Sequence, residues 1–178
     1  MGQKKEKLEV VSVRLVRDAP ILSEHKISKP EDAVEVLGEL MCELDREVLC
    51  VVNLKSDGTP INCHFASMGT LIGTMASPRE LFKSSILSNA AAMILLHNHP
   101  SGCLTPSKED TAITEKMIKL CTLMEIPLQD HIIVGGDNRS YFSFREKDLL
   151  KRPDISVCTD YKALDFSPSV SRAAERSR

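Results

Sequence analysis

Residues 97–110 read His-Asn-His-Pro-Ser-Gly-Cys-Leu-Thr-Pro-Ser-Lys-Glu-Asp and place two imidazoles, a hydroxyl and a carboxylate where the apolar run 90–96 ends. In a strand, residues two apart project from the same face, so His97 and His99 converge at its end and can share one ion. Ser107 opens a helical pattern with Asp110 in its first turn, from which a carboxylate can turn back toward the strand end. His97, His99 and Asp110 then give three protein donors. Zinc held by three protein ligands keeps its fourth tetrahedral position for water, the arrangement of catalytic rather than structural sites. Ser107-x-x-Asp110 is equally a helix-capping box, in which each side chain satisfies the other's backbone N–H. The two readings are compatible, because a cap that fixes the carboxylate also aims it. One zinc ion per chain is the expectation.

The string His97-x-His99-Pro100, with Ser107 and Asp110 at the spacing His-x7-Ser-x2-Asp, resembles the JAMM signature of JAB/MPN-type zinc metalloproteases. His-Asn-His-Pro-Ser-Gly resembles the RadC-like branch of that family. The resemblance covers about residues 28–150 and implies a three-layer α/β sandwich around a mixed sheet, similar to cytidine deaminases. It also implies an upstream glutamate, at the start of a strand that follows a helix, acting on the water at the zinc. Glu47 fits that place. Glu43 falls inside the preceding helical pattern, and Glu80 closes Ser77-Pro78-Arg79-Glu80, a capping box with Pro in the first turn. The implied activity is hydrolysis of a peptide or isopeptide bond, with Glu47 as proton carrier and the Ser107 hydroxyl helping zinc to stabilise the oxyanion. The alternative is a non-catalytic binding module that keeps zinc for stability, linked to DNA repair by family name only. A zinc deaminase is discounted, since its H-x-E and P-C-x-x-C elements are missing.

The elements that must position these residues are readable from periodicity. Val11, Val13 and Leu15 alternate with polar residues as in a half-buried strand. From Pro30 to Leu44, Ala33, Val34, Leu37, Leu40, Met41 and Leu44 recur at helical steps. Glu47 to Leu54 and Ile61 to Ser67 read as strands joined by the turn Ser56-Asp57-Gly58-Thr59-Pro60. Pro78 to Ser88 reads as a helix with Leu81, Phe82, Ser85 and Ile86 inward, and Ala90 to Leu96 as a buried strand. From Lys108, the spacing Ile113, Met117, Leu120, Met124 predicts a helix ending before Pro127. His131 to Val134 and Tyr141 to Phe144 read as strands on either side of Gly135-Gly136-Asp137-Asn138. His25, His64 and His131 read as structural histidines, with His131 also suited to supporting the metal ligands. Residues 1–27 form an N-terminal strand and linker, 28–150 the metal-binding domain, and 151–178 a polar tail.

Of 178 residues, 42% are hydrophobic and 27% charged, with a net charge of −2 and a pI near 6.2. Such a balance supports one buried core and supplies no basic field for strong nucleic-acid binding. No membrane segment stands out, and the six cysteines show no C-x-x-C pair or disulfide framework, so a cytoplasmic location is expected. Cys103 lies in the loop between the proposed ligands and offers an adventitious sulfur. The partner to expect is a peptide or protein-conjugate substrate; oligomeric state is not written in the sequence. Metal analysis of purified protein should find one zinc per chain. Replacing both His97 and His99 by Ala should abolish it, and His64→Ala should retain it; equal loss in both proteins would refute the ligand assignment.

Overall fold

A computed structural model describes residues 12, 14–16, 26–68, 77–137, 139–151 and 153–155. In chain order the elements are α1 (Pro30–Cys42), β1 (Val48–Leu54), β2 (Pro60–Met68), α2 (Pro78–Leu87), β3 (Ala92–Asn98), α3 (Lys108–Leu123), β4 (Leu128–Val134) and β5 (Tyr141–Ser143). Five strands form one mixed sheet in the order β2-β1-β3-β4-β5. β1 runs antiparallel to both β2 and β3, β3 and β4 are parallel, and β5 returns antiparallel on β4. The parallel pair needs a crossover, and α3 supplies it.

Helices cover both faces. On one, Ala33, Val34, Leu37 and Met41 of α1 pack on Val48, Cys50, Val52, Ala92, Ile94, Leu96, Ile132 and Val134. On the other, Leu81 and Phe82 of α2 and Met117, Ile118 and Cys121 of α3 pack on Leu49, Val51, Met93 and Leu95. The two-residue strand period divides these sets, and because both faces are covered β1 and β3 are buried at every position. The three-layer α/β sandwich with a mixed sheet is therefore the fold of this chain.

Several elements shift from their expected places for local reasons. β3 begins at Ala92 rather than Ala90, because Asn89 takes positive φ to end α2 and the Ala90 N–H donates back to the Ser85 carbonyl. α2 does not bury Ile86, which is 49% exposed. Ser84 turns inward instead, beside Ser85 as expected, and both hydrogen-bond the buried Asn53 amide of β1. Ser77 makes no side-chain cap, and Glu80 pairs with Lys83 at 2.6 Å. On α3 the buried face is Asp110, Thr114, Met117, Ile118 and Cys121, with Met124 exposed. Of the strand expected at 11–15, Ser12, Arg14 and Leu15 carry no regular structure; Val11 and Val13, like the tail beyond Ile155 and His25, lie outside the described residues. No helix among the described residues is long and apolar enough to cross a membrane.

Leu95 sits at the centre of the sheet with no exposed surface, whereas Leu123 on α3 is 58% exposed. Leu95→Ala should lower unfolding free energy by about 2–5 kcal/mol, and Leu123→Ala should stay within about 0.5 kcal/mol of the parent. Chemical denaturation of the two variants measures both.

Candidate metal centre

Strand β3 carries His97 on the same face as Met93 and Leu95, the face that α3 covers, and His99 follows just past the strand end. His97 is 4% exposed and His99 7%; their rings meet edge to face with centroids 4.7 Å apart. The crossover from β3 into α3 brings the first turn of that helix back over this end, and there Asp110 is 5% exposed. Its carboxylate spans the two imidazoles: Oδ1 lies 3.0 Å from His97 Nδ1 and Oδ2 3.3 Å from His99 Nε2.

The capping box forms as well. The Ser107 hydroxyl accepts from the Asp110 N–H at 3.1 Å and donates to Asp110 Oδ2 at 2.6 Å. The Ser107 N–H donates to the same oxygen at 2.7 Å. One side chain thus closes the helix end and faces both histidines. Burial would raise the Asp110 carboxyl, but hydrogen bonds from His97, His99 and Ser107 hold it far below the usual carboxylate range. The same carboxylate raises the His99 pKa above its ordinary value, against the effect of burial.

His99 has its other nitrogen fixed. Nδ1 lies 2.6 Å from the Cys103 carbonyl, which can only accept, so Nδ1 carries a proton; Nε2, 3.3 Å from Asp110, donates to that carboxylate when the ring is protonated and offers its lone pair when the ring is neutral. Cys103 thus serves through its backbone; its exposed sulfur is not among the converging donor atoms of the described residues.

Glu47 enters from β1. It precedes Val48, and Leu49 pairs with His97 across the antiparallel ladder, so the beginning of β1 lies beside the end of β3. Donor atoms of Glu47, His97 and His99 lie within 4.8 Å of one another. Glu43 instead caps the C-terminus of α1, and Glu80 pairs with Lys83 on α2. Neither belongs to this cluster. Two imidazoles and the Glu47 carboxylate form a donor set suited to a borderline divalent cation; Asp110 stands outside that group and contacts both histidines. His97 Nε2 is buried without a hydrogen-bond partner among the described residues, a polar atom that an ion would satisfy.

His131, on β4, supports the cluster from beneath. It is fully buried, with its ring stacked on Phe144 at 5.0 Å and on His97 at 6.2 Å. Its Nδ1 lies 2.6 Å from Thr114 Oγ1, and that hydroxyl donates to the Asp110 carbonyl at 2.5 Å. Since the Thr114 proton is committed to Asp110, His131 Nδ1 is the donor of the pair. Burial lowers the His131 pKa to about 3, which keeps the ring neutral. His64, on β2 opposite Val51, does not join the cluster of Glu47, His97 and His99. The Thr114 link was not visible in the sequence, where only the coincidence of Asp110 and Thr114 at helical spacing hinted that α3 presents a polar edge to the sheet. Thr114→Val keeps the shape and removes the hydroxyl, leaving His131 Nδ1 buried without its acceptor. It should cost about 1–3 kcal/mol of stability with metal stoichiometry unchanged, as denaturation and metal analysis can check.

Comparison with known proteins agrees with this geometry. The RadC-like JAB domain family matches residues 27–149. UPF0758 proteins of two Clostridium perfringens strains, ATCC 13124 and 13, are each 39% identical over 129 residues, covering 72% of this chain. The chain spans 56% of the length of these relatives. With the family matched over most of its length and the site assembled at the end of β3, this chain belongs to the RadC-like JAB domain family.

Proposed function

We propose that the chain is a metal-dependent hydrolase of peptide or isopeptide bonds, with zinc as its ion and His97, His99 and Asp110 as the ligands. The observation that carries this reading is the convergence of Glu47 on the two histidines that the Asp110 carboxylate already spans. Three of these groups suffice to hold the ion, so the fourth is available for proton transfer. A zinc ion so bound supplies Lewis acidity and lowers the pKa of water from 15.7 to about 7.

The chain's own residues supply the remaining chemistry. Glu47 accepts the proton of the attacking water and returns it to the nitrogen of the leaving amine, so no net proton is consumed at the carboxylate. Asp110 balances charge while the helix end fixes its orientation. The Ser107 hydroxyl, which here donates to Asp110, is placed to turn toward the carbonyl oxygen once that carboxylate faces an ion. The substrate is an extended peptide or the tail of a conjugated protein, and the chain acts in the cytoplasm without tight binding to nucleic acid, in keeping with its net charge of −2. A binding module held together by metal would instead take Glu47 as a fourth ligand and close the site, so it would lose zinc on Glu47→Gln.

Glu47→Gln separates these functions. It should keep zinc and thermal stability while lowering turnover of a peptide or isopeptide substrate about 10²–10⁴-fold, the usual contribution of positioned proton transfer. Asp110→Asn should lose the metal itself, because a neutral amide replaces a charged ligand. Screening the zinc-loaded protein against peptide and isopeptide libraries supplies the substrate, and a zinc-loaded Glu47→Gln protein with parental turnover would remove Glu47 from the reaction.

A further inference from the structure

Between the two histidines lies Asn98, which the reaction above does not use. It alternates to the opposite face of β3, is 1% exposed, and so has no route to ion or substrate. Both polar atoms of its amide are nonetheless engaged. Oδ1 accepts the Val48 N–H at 2.7 Å, and Nδ2 donates to the Arg46 carbonyl at 3.0 Å. These are the two peptide groups on either side of the Glu47 Cα. The last backbone pair of the β1–β3 ladder is Leu49 with His97, so the Asn98 side chain carries the pairing one residue further than the backbone does.

We infer that Asn98 is a positioning residue that fixes the direction of Glu47 by holding both of its flanking peptide planes. With the Arg46–Glu47 and Glu47–Val48 peptides pinned, little rotation remains about the Glu47 backbone bonds, and its Cα–Cβ vector follows the pleat. The two-residue period then puts Glu47 on the face of Leu49 and His97. The preceding turn supplies no comparable anchor: the side chains of Asp45 and Arg46 are exposed and pair with each other. The chemistry of the clamp demands an amide, since one short side chain must offer an acceptor to Val48 and a donor to Arg46. Aspartate would set a second oxygen against the Arg46 carbonyl, and alanine would leave both peptide groups unpaired. The triplet His97-Asn98-His99 thereby joins two ligands to the residue that orients their proton carrier, which is why the alternating strand matters: odd positions meet the ion and the even one grips the neighbouring strand.

This assignment rests on the metallohydrolase reading, and its test separates the two. The full chain, with glutamate carboxyl carbons labelled with ¹³C and the Glu47 signal assigned by its loss in Glu47→Gln, is titrated with zinc as parent, Asn98→Asp and Asn98→Ala. Both variants should bind one zinc per chain, as the parent does, and show faster amide hydrogen exchange at Val48. The zinc-induced shift of the Glu47 carboxyl should shrink to less than half. With a substrate in hand, each variant should lose about 10²-fold in kcat. The loss should vanish in the Glu47→Gln background, because a residue acting through Glu47 has nothing left to position. An undiminished Glu47 response, an equal kcat loss with and without Glu47, or loss of zinc from both variants would overturn the role of Asn98. Failure of the parent to bind zinc would overturn the metallohydrolase reading and this inference with it.

Discussion

One carboxylate joins the two halves of this site. Asp110 closes the N-terminus of α3 and at the same time touches both imidazoles at the end of β3, so the helix cannot be moved or rotated without breaking the cluster. The contact is possible because β3 and β4 are parallel and the chain must cross over between them, which returns the start of α3 to the end of the strand it has just left. Buried at 5% exposure, the charge is tolerable only because every oxygen is engaged: Oδ1 by His97, Oδ2 by His99 and Ser107. A buried carboxylate with such partners remains ionised, which suits it to receive a cation.

The antiparallel neighbour supplies the other half of the chemistry. Because β1 runs against β3, its first residues lie beside the last residues of β3, and a glutamate immediately before β1 reaches histidines far away in sequence. Behind the pair, His131 and Thr114 tie β4 to α3 while the His131 ring stacks beneath His97. The site is thus fixed from three strands and one helix end, with the loop carbonyl of Cys103 orienting His99.

The sequence disclosed the clustered polar residues more readily than the surfaces that seat them. His97, His99, Ser107 and Asp110 stand close together, and their types and spacing suffice to bring them to one strand end and one helix start. Glu47 was identifiable only through the resemblance, since a carboxylate before an apolar strand has no local signal of its own. On α3 the apolar spacing led to Ile113, Met117 and Leu120, which pack on the core, but it left Thr114 unread because it is polar, and it included Met124, which ends the helix in solvent. Apolar periodicity cannot register a polar residue buried to serve a site. Ile86 was placed inward for the converse reason: the face of α2 that meets β1 carries serines bonded to Asn53, and a hydrogen-bonded interface leaves no hydrophobic trace. Asn98 illustrates the same limit, because its partners are backbone groups on another strand.

The central claim is that Glu47, His97, His99 and Asp110 surround one ion. Anomalous diffraction above and below the zinc absorption edge, from crystals grown with zinc, tests it most directly. The account predicts a single strong peak per chain, bonded to nitrogen atoms of His97 and His99 and to a carboxylate oxygen of Asp110 at about 2.0–2.2 Å, with Glu47 directed at the remaining position. A peak elsewhere, or density at the site without bonds to both histidines, would contradict it.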